Sequence, residues 1–241
     1  MIKLVNITKA YSGGVKAVDN LNMTIADGKI IGFLGPNGAG KTTTIKMITG
    51  ILKSDKGQIL INDYDVKTDS IKAKEEIGFV SDDADVFLRL KGIEYLNFMA
   101  DVYHVDSKTR QKRIKDMSSK LEMENALKDR IQSYSHGMRQ KIVIMGALIH
   151  NPNIWILDEP LTGLDPKSSY ILKEMMREHV KDGKSVFFST HVLEVAEKLC
   201  DEVAIIAKGK IIYQGDLETL KEEQKKDRSL ESLFLEMIED E

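Results

Sequence analysis

A glycine-rich segment near the start of the chain has the residue types that hold phosphate groups. Residues 35–42 read Gly-Pro-Asn-Gly-Ala-Gly-Lys-Thr and match the pattern G-x-x-x-x-G-K-S/T. Its glycines let backbone N–H groups converge on phosphate oxygens, because no Cβ atom obstructs them. Lys41 would place its charge at the β- and γ-phosphates, and the hydroxyl of Thr42 would bind Mg²⁺. The segment therefore predicts a site for a nucleoside triphosphate.

Two adjacent acidic residues follow a short apolar run in the second half of the chain. Residues 154–157 are Ile-Trp-Ile-Leu, and Asp158 and Glu159 come next. In open α/β sheets ligands bind beyond the carboxyl ends of the strands, so both side chains are expected near the phosphate site. Asp158 can hold Mg²⁺, and Glu159 can polarise an attacking water molecule. Alone the pair could be a solvated turn, but beside the glycine-rich segment it predicts hydrolysis of the triphosphate.

Buried strands and helices must position these groups. Apolar runs are typical of strands buried on both faces, and helical segments between them predict crossover connections and a mainly parallel sheet. The predicted buried strands are residues 30–34, 77–80, 154–157, 186–189 and 203–206. Helices are predicted over residues 42–49 and 166 to about 182, ended by Gly50 and Gly183, with Asp165 as the N-cap of the second.

The remaining segments predict two smaller units. Runs typical of β-strands at residues 2–5, 21–25 and 58–61 indicate a small antiparallel sheet. The dipeptide Asp27-Gly28 is typical of a hairpin turn, so a hairpin is expected there. Residues 83–150 contain periodic helical segments and no convincing strand, which predicts a helical subdomain inserted into the α/β core.

The composition argues against several classes of protein. With 241 residues, 42% of them hydrophobic, the chain can bury a sizeable core and is not disordered. A net charge of -3 argues against a free-standing nucleic-acid binder, which carries a basic face. No secretory signal is apparent, and no apolar run approaches the ~18 residues that span a bilayer, so any membrane role is expected through a partner. The single cysteine, Cys200, fits a reducing compartment.

The C-terminal segment, residues 216–241, is highly charged but carries apolar residues three and four positions apart. These residues are Leu230, Leu233, Phe234, Met237 and Ile238. Their spacing predicts an amphipathic helix that docks on another surface. Packing on the same chain is the simpler interpretation, and a partner site is the alternative.

The order of the motifs resembles that of the ATP-binding subunits of ABC transporters, over nearly the whole chain. The glycine-rich segment is similar to the family's Walker A motif, and Asp158 and Glu159 are similar to Walker B and the catalytic glutamate. Residues 134–138 resemble the signature motif, and residues 161–165 resemble the D-loop. His191 resembles the switch histidine.

The resemblance implies a fold, ligands and site residues. The fold would be a P-loop NTPase (RecA-like) α/β fold, with a mainly parallel sheet, an antiparallel β subdomain and an inserted helical subdomain. ATP would be bound by Tyr11, similar to the family's adenine-stacking aromatic residue, by Gly35, Pro36, Asn37, Gly38, Ala39, Gly40, Lys41, Thr42 and Thr43, and by Ser135 and Gly137 of the opposite protomer. Mg²⁺ would be bound by Thr42, Asp82 and Asp158, and the catalytic residues would be Glu159 and His191.

The signature segment departs from the family pattern. His136 replaces its first glycine and Met138 replaces its glutamine, while Ser135 and Gly137 keep the groups that would meet phosphate. The pattern Tyr-Ser-x-Gly-Met is similar to subunits that serve membrane domains of the ABC-2 exporter type. We interpret the departure as a property of that subfamily.

A second departure lies in the segment that resembles the family's Q-loop. Asp82 stands where the family has glutamine. A carboxylate can accept the role of a Mg²⁺ ligand, but it cannot donate the hydrogen bond of an amide. Asp83 or Asp85 would be the alternative ligand if the loop is shifted.

By resemblance, the chain would be the ATP-hydrolysing subunit of a transporter, most similar to ABC-2 type exporters. Two ATPase subunits, as a homodimer or heterodimer, would close around two ATP molecules and drive a separate transmembrane permease from the cytoplasmic face of the cell membrane. One alternative is a soluble ABC ATPase acting on ribosomes or DNA, which the single cassette and single cysteine disfavour. Another is a non-hydrolysing ATP-dependent regulator, which Glu159 and His191 disfavour.

A single ABC ATPase domain is expected over residues 1–241. Residues 1–82 and 151–215 would form the antiparallel β subdomain and the ATP-binding core. Residues 83–150 would form the helical subdomain with the signature motif, and residues 216–241 a C-terminal helical tail.

Overall fold

Two β-sheets organise the chain. The computed structural model describes residues 1–11, 13–85, 87–223 and 230–239. The strands are β1 (Ile2–Ala10), β2 (Lys16–Ile25), β3 (Ile30–Leu34), β4 (Lys56–Ile61), β5 (Tyr64–Asp65), β6 (Ile77–Val80), β7 (Ile154–Leu157), β8 (Ser185–Thr190), β9 (Glu202–Ala207) and β10 (Lys210–Asp216). The α-helices are α1 (Lys41–Ile48), α2 (Ser70–Glu75), α3 (Gly92–Val102), α4 (Ser107–Lys120), α5 (His136–Leu148), α6 (Pro166–Lys181), α7 (Leu193–Leu199), α8 (Leu217–Glu223) and α9 (Leu230–Glu239).

The larger sheet has six strands in the order β10-β9-β3-β8-β7-β6. The strands from β9 to β6 run parallel, and β10 pairs antiparallel with β9 at the edge. The parallel strands contain all the predicted buried strands, and β3, β7 and β8 are buried at every residue. Because these strands are parallel, the segments that follow β3, β7 and β8 leave the sheet at the same edge.

The smaller sheet is antiparallel, in the order β2-β1-β4-β5, as predicted. The hairpin expected at Asp27-Gly28 is wrong, however. That dipeptide joins β2 of the smaller sheet to β3 of the larger sheet, and β2 pairs with β1 instead. The physical reason is burial, because β3 is buried on both faces and therefore lies inside the parallel sheet, whereas β2 is half exposed.

Helices cover both faces of the larger sheet. The helices α3, α4 and α5 lie between β6 and β7 in the chain, and their apolar side chains share one core with Trp155 and Phe188 of the sheet. Phe33, Ile156 and Phe187 belong to a second core with α1 and the antiparallel sheet. This arrangement is the expected α/β core with an antiparallel sheet and an inserted helical region. The boundaries of the subdomains stay a prediction.

Local signals set the ends of the helices next to the site. Helix α1 begins at Lys41, one residue before its predicted start, and Gly50, with a φ of 68°, follows it. Helix α6 begins at Pro166 as predicted, and the side chain of Asp165 accepts a hydrogen bond from the N–H of Ser168 at 3.0 Å. The Asp165 cap fixes the point at which the loop after Glu159 ends and helix α6 begins, and Gly50 marks the far end of α1.

The C-terminal helix packs on its own chain, as the simpler interpretation predicts. Leu230 is buried, and Phe234 and Met237 contact the core that α7 and α8 share. The predicted apolar residues Leu233 and Ile238 lie outside the side chains that the structure describes. Within the described ranges, every helix is too short or too polar to cross a membrane.

Candidate active site

The glycine-rich loop lies between β3 and α1, at the carboxyl edge of the parallel sheet. Gly38 and Gly40 have φ angles of 79° and 110°, a backbone conformation that favours glycine. A Cβ atom at Gly40 would lie 2.4 Å from the carbonyl oxygen of Ala17, so a larger residue does not fit there. No described side chain caps α1, and the N–H groups of its first turn can therefore bind an anion.

Lys41 is almost completely buried at the start of α1. Its ammonium group donates hydrogen bonds to the carbonyl oxygens of Gly35 at 2.6 Å and Pro36 at 3.3 Å. Burial lowers the pKa of Lys41, and the nearby carboxylates of Glu159 and Asp158 oppose that shift. The loop thus contains a poorly solvated ammonium group at the place where the sequence predicts a phosphate.

Asp158 follows β7 and is buried. Its Oδ1 accepts a hydrogen bond from the hydroxyl of Ser189 at 2.5 Å. Its Oδ2 is buried without a hydrogen-bond partner among the described residues, although the hydroxyl of Thr42 lies near enough to favour the ionised carboxylate. Burial raises the pKa of Asp158, and the hydroxyls of Ser189 and Thr42 partly offset the rise.

The carboxylate of Glu159 lies between Lys41 and His191. Its Oε1 is 3.8 Å from the Nζ of Lys41, and its Oε2 is 3.0 Å from the Nδ1 of His191. Its backbone has a φ of 47°, which is a strained conformation for glutamate. The side chain is 21% exposed, so the carboxylate can still meet a water molecule at the edge of the loop.

Ser189 is a site residue that the sequence interpretation missed. Its hydroxyl donates to Asp158 and accepts from the N–H of Glu159 at 2.9 Å, so it bonds both acidic residues. It lies on β8, which pairs with β7, two residues before His191. A hydroxyl in the strand that leads to His191 is the one sequence signal that would have indicated it.

Tyr11 lies beside the phosphate loop, and Asp82 acts electrostatically on Asp158. The hydroxyl oxygen of Tyr11 is 3.4 Å from that of Thr43, and the tyrosine side chain is half exposed, as a surface for stacking requires. Asp82 is exposed, and its charge contributes to the raised pKa of Asp158, which places the two carboxylates within electrostatic range of each other.

The alternative acidic residues of this segment have partners elsewhere. The carboxylate of Asp83 accepts a hydrogen bond from the N–H of Asp85 at 2.9 Å. The carboxylate of Asp85 pairs with Arg139 of α5 at 2.5 Å. Asp82 also accepts hydrogen bonds, from the hydroxyl of Ser81 at 3.1 Å and the N–H of Asp83 at 3.0 Å, and it differs from the other two in its electrostatic effect on Asp158.

Ser135 and Gly137 lie at the start of α5, outside the cluster around the phosphate loop. Ser135 caps the helix by accepting a hydrogen bond from the N–H of Met138 at 3.3 Å. Gly137 faces the loop that follows Glu159, because a Cβ atom on it would lie 3.8 Å from the carbonyl oxygen of Gly163. The structure thus brings the phosphate loop and both acidic residues together and places the predicted signature residues beside them, on another segment.

The oxygen groups at the start of α1 and the end of β7 suit a divalent cation. The Thr42 hydroxyl and the unpartnered Oδ2 of Asp158 are hard oxygen donors, and Mg²⁺ takes one or two carboxylates together with phosphate oxygens and water. In the described part of the chain, no group of three or more His, Cys, Asp or Glu side chains could hold a metal. The Thr42 hydroxyl and the Asp158 carboxylate fit a Mg²⁺ ion whose other ligands are the phosphate oxygens of a nucleotide and water.

Comparison with known sequences agrees with this geometry. The family model described as ABC transporter matches residues 18–162. The ABC transporter ATP-binding protein NatA of Bacillus subtilis (strain 168) is 37% identical over 212 residues, which cover 88% of this chain and 86% of NatA. The match extends through the phosphate loop, the signature segment and both acidic residues.

Solved structures of similar proteins share the fold. The structure of an ATP-binding subunit of an ABC transporter has a TM-score of 0.94 at 27% identity, covering 98% of this chain and 99% of that chain. The ATP-binding cassette MJ0796, in a dimeric post-hydrolysis state bound to ADP and Pi, has a TM-score of 0.81 at 26% identity, covering 90% of this chain and 99% of that chain. These likenesses confirm the predicted P-loop NTPase fold class.

Proposed function

This chain belongs to the ABC transporter family of ATPases, and from that premise we propose that it drives an exporter similar to the ABC-2 type. In this proposal two such subunits, identical or different, close around two ATP molecules. The pair acts on a separate transmembrane permease, and the chain is thereby held at the cytoplasmic face of the cell membrane.

The observation that carries the proposal is the position of the Glu159 carboxylate between Lys41 and His191, at 3.8 Å and 3.0 Å. A carboxylate in this place can orient a water molecule toward the phosphate that Lys41 binds, and can accept its proton. Because His191 meets Glu159 through Nδ1, its Nε2 is left to contact the same phosphate. Hydrolysis then needs positioning and neutralised charge more than covalent chemistry.

The groups around this pair complete the proposed site. Thr42, Asp82 and Asp158 would hold Mg²⁺, which supplies neutralising charge to the β- and γ-phosphates when it is bound. Ser189 keeps the carboxylate of Asp158 and the backbone of Glu159 in a fixed relation, because its hydroxyl bonds both.

Ser135 and Gly137 would complete the site of a second subunit. They stand at the N-terminus of α5, where backbone N–H groups and the helix dipole favour a phosphate. Ser135 is exposed, so a second subunit can reach it. The dimeric structure of the similar cassette MJ0796 supports this arrangement. On this basis a lone subunit binds ATP but hydrolyses it slowly.

The signature segment supports the exporter subfamily. Its tyrosine, Tyr134, is buried and donates a hydrogen bond to the carbonyl oxygen of Ala126 at 2.5 Å. The tyrosine of the Tyr-Ser-x-Gly-Met pattern is therefore packed in the interior of the helical region. An acidic residue in the Q-loop, Asp82, also accords with the exporter subfamily.

Glu159→Gln tests the role of the carboxylate. The amide keeps the size of the side chain but does not accept the proton, so we expect ATP binding to persist while the ATPase rate falls about 100-fold or more. With ATP and Mg²⁺, the variant should elute as a dimer in size-exclusion chromatography with light scattering. Glu194→Gln, at an exposed residue paired with Lys198, is the matched control and should keep the wild-type rate. A Glu159→Gln protein that hydrolyses ATP at the wild-type rate would refute this role.

Co-purification tests the membrane partner. A tagged chain extracted from membranes in mild detergent is expected to bring a permease with it, and the ATPase rate should change when that permease is present. Recovery of the chain on ribosomes or DNA, without a membrane protein, would contradict the proposed transporter.

A further inference from the structure

The imidazole ring of His136 lies on the loop that follows Glu159. A Cβ atom placed on Gly163 would lie 2.6 Å from Cδ2 and 2.8 Å from Nε2 of His136. Gly163 has a φ of 77°, and a Cβ atom on it would require the exposed ring of His136 to move from its present position. Since His136 replaces a signature glycine, this contact depends on the departure of the present chain from the family pattern.

The loop beneath the ring begins at Glu159, which carries the catalytic carboxylate. The N–H of Thr162 donates to the carbonyl oxygen of Glu159 at 3.2 Å, and the N–H of Leu164 donates to the carbonyl oxygen of Leu161 at 3.4 Å. The segment from Glu159 to Leu164 therefore consists of two successive turns. A displacement of Gly163 would reach the backbone of Glu159, whose φ of 47° is already strained.

We propose that His136 is a positioning residue, which holds the loop at Gly163 and thereby keeps Glu159 in place for hydrolysis. This inference rests on the proposed function, because the neighbours Ser135 and Gly137 are assigned there to the ATP of the opposite subunit. When those neighbours engage that ATP, the ring is held against Gly163. The occupancy of one site thus acts on the carboxylate of the other through a contact within one chain.

His136→Ala removes the ring from the loop. We expect kcat to fall about 10- to 100-fold, because a misplacement of about 1 Å in a reacting group has effects of this size. The KM for ATP should stay near the wild-type value, since the bonds of Lys41 to Gly35 and Pro36 do not involve His136. His136→Phe restores a planar ring over Gly163 and is expected to recover most of the lost rate.

Gly163→Ala disrupts the contact between His136 and Gly163 through the loop residue, because the added Cβ atom would displace the ring. We expect the kcat of this variant to match that of His136→Ala. The double variant should be no slower than the slower single variant, since both changes break one contact. The matched control is Gly183→Ala, which has nearly the same φ, 78°, but no atom within 4 Å of the added Cβ. It should lose stability to a similar extent and keep its kcat.

The outcomes separate this inference from the proposed function. Failure of Glu159→Gln to form the ATP-bound dimer would overturn the proposed function. If that dimer forms, Glu159→Gln combined with His136→Ala should form it too, because His136 acts on turnover. Loss of the dimer in the combined variant would overturn the positioning role. A wild-type kcat in His136→Ala, effects that multiply in the double variant, or an equal loss of kcat in Gly183→Ala would also overturn it.

Discussion

Replacing Ser189 with alanine would remove the hydroxyl that bonds both acidic residues of the site. In the wild type this buried hydroxyl donates to the Oδ1 of Asp158 at 2.5 Å and accepts from the N–H of Glu159 at 2.9 Å. A buried amide without an acceptor costs about 1–3 kcal/mol, and a lost hydrogen bond to a carboxylate costs about 1.5–3 kcal/mol. We therefore expect the free energy of unfolding to fall by about 4 kcal/mol.

The same substitution at Ser185 separates stability from activity. Ser185 lies on the same strand, is buried, and accepts a hydrogen bond from the N–H of Gly28 at 3.1 Å. Ser185→Ala should reduce the free energy of unfolding by about 1 kcal/mol, because it removes one hydrogen bond from the N–H of Gly28, which is exposed. Its kcat should stay at the wild-type value, since this bond is at the other end of β8 from the carboxylates.

Kinetics then test the positioning role of Ser189. Without its hydroxyl, the strained backbone of Glu159 loses the bond that holds it, and we expect kcat to fall about 100-fold. ATP affinity should change little, because the phosphate loop keeps its contacts. Steady-state ATPase assays give kcat and KM, and urea unfolding gives the free energies. A Ser189→Ala protein with wild-type kcat, or an equal loss of kcat in Ser185→Ala, would refute the reasoning.

Two further predictions concern pH and the phosphate loop. Burial against Trp155 lowers the pKa of His179 from 6.5 to about 4, so the free energy of unfolding should fall as the pH drops through that window, where only the unfolded chain takes the proton. This residue should account for about 3 kcal/mol of the fall, and His179→Phe should flatten the profile measured by urea unfolding. Gly40→Ala forces a Cβ atom against a backbone carbonyl, and strain of about 3 kcal/mol should raise the Kd for ATP about 100-fold in a fluorescence titration. Gly28→Ala, at a φ of 71° with no atom within 4 Å, should keep the wild-type Kd.

The placement of the phosphate loop beside Asp158 and Glu159 could be predicted from the sequence. Strands buried on both faces read as apolar runs, and those runs mark β3 and β7 directly. Once the sheet is parallel, its carboxyl ends share one edge, however far apart they are in the chain. The proximity of Lys41 and Asp158 could therefore be predicted, although the two residues are far apart in the sequence.

Contacts that depend on strand register could not be predicted in the same way. Ser189 reaches both acidic residues because β7 and β8 pair with Leu157 opposite Phe188. A shift of one residue would turn the Ser189 side chain to the other face of the sheet. The wrong hairpin at Asp27-Gly28 has a related cause, because turn chemistry indicates a bend but not which strand the chain will pair with next.

Three unfavourable features meet at the carboxyl edge of β7. The ammonium group of Lys41 is buried, and burial lowers its pKa. Asp158 has a buried oxygen without a hydrogen-bond partner among the described residues, and the backbone of Glu159 is strained. None of them stabilises the fold, and such exceptions to ordinary packing concentrate at functional sites. A phosphate would meet the ammonium group of Lys41, and a divalent cation would meet the free oxygen of Asp158. Both buried groups meet these ligands only when the nucleotide and the cation bind together. ATP with Mg²⁺ should therefore raise the melting temperature of the protein more than ATP with a chelator.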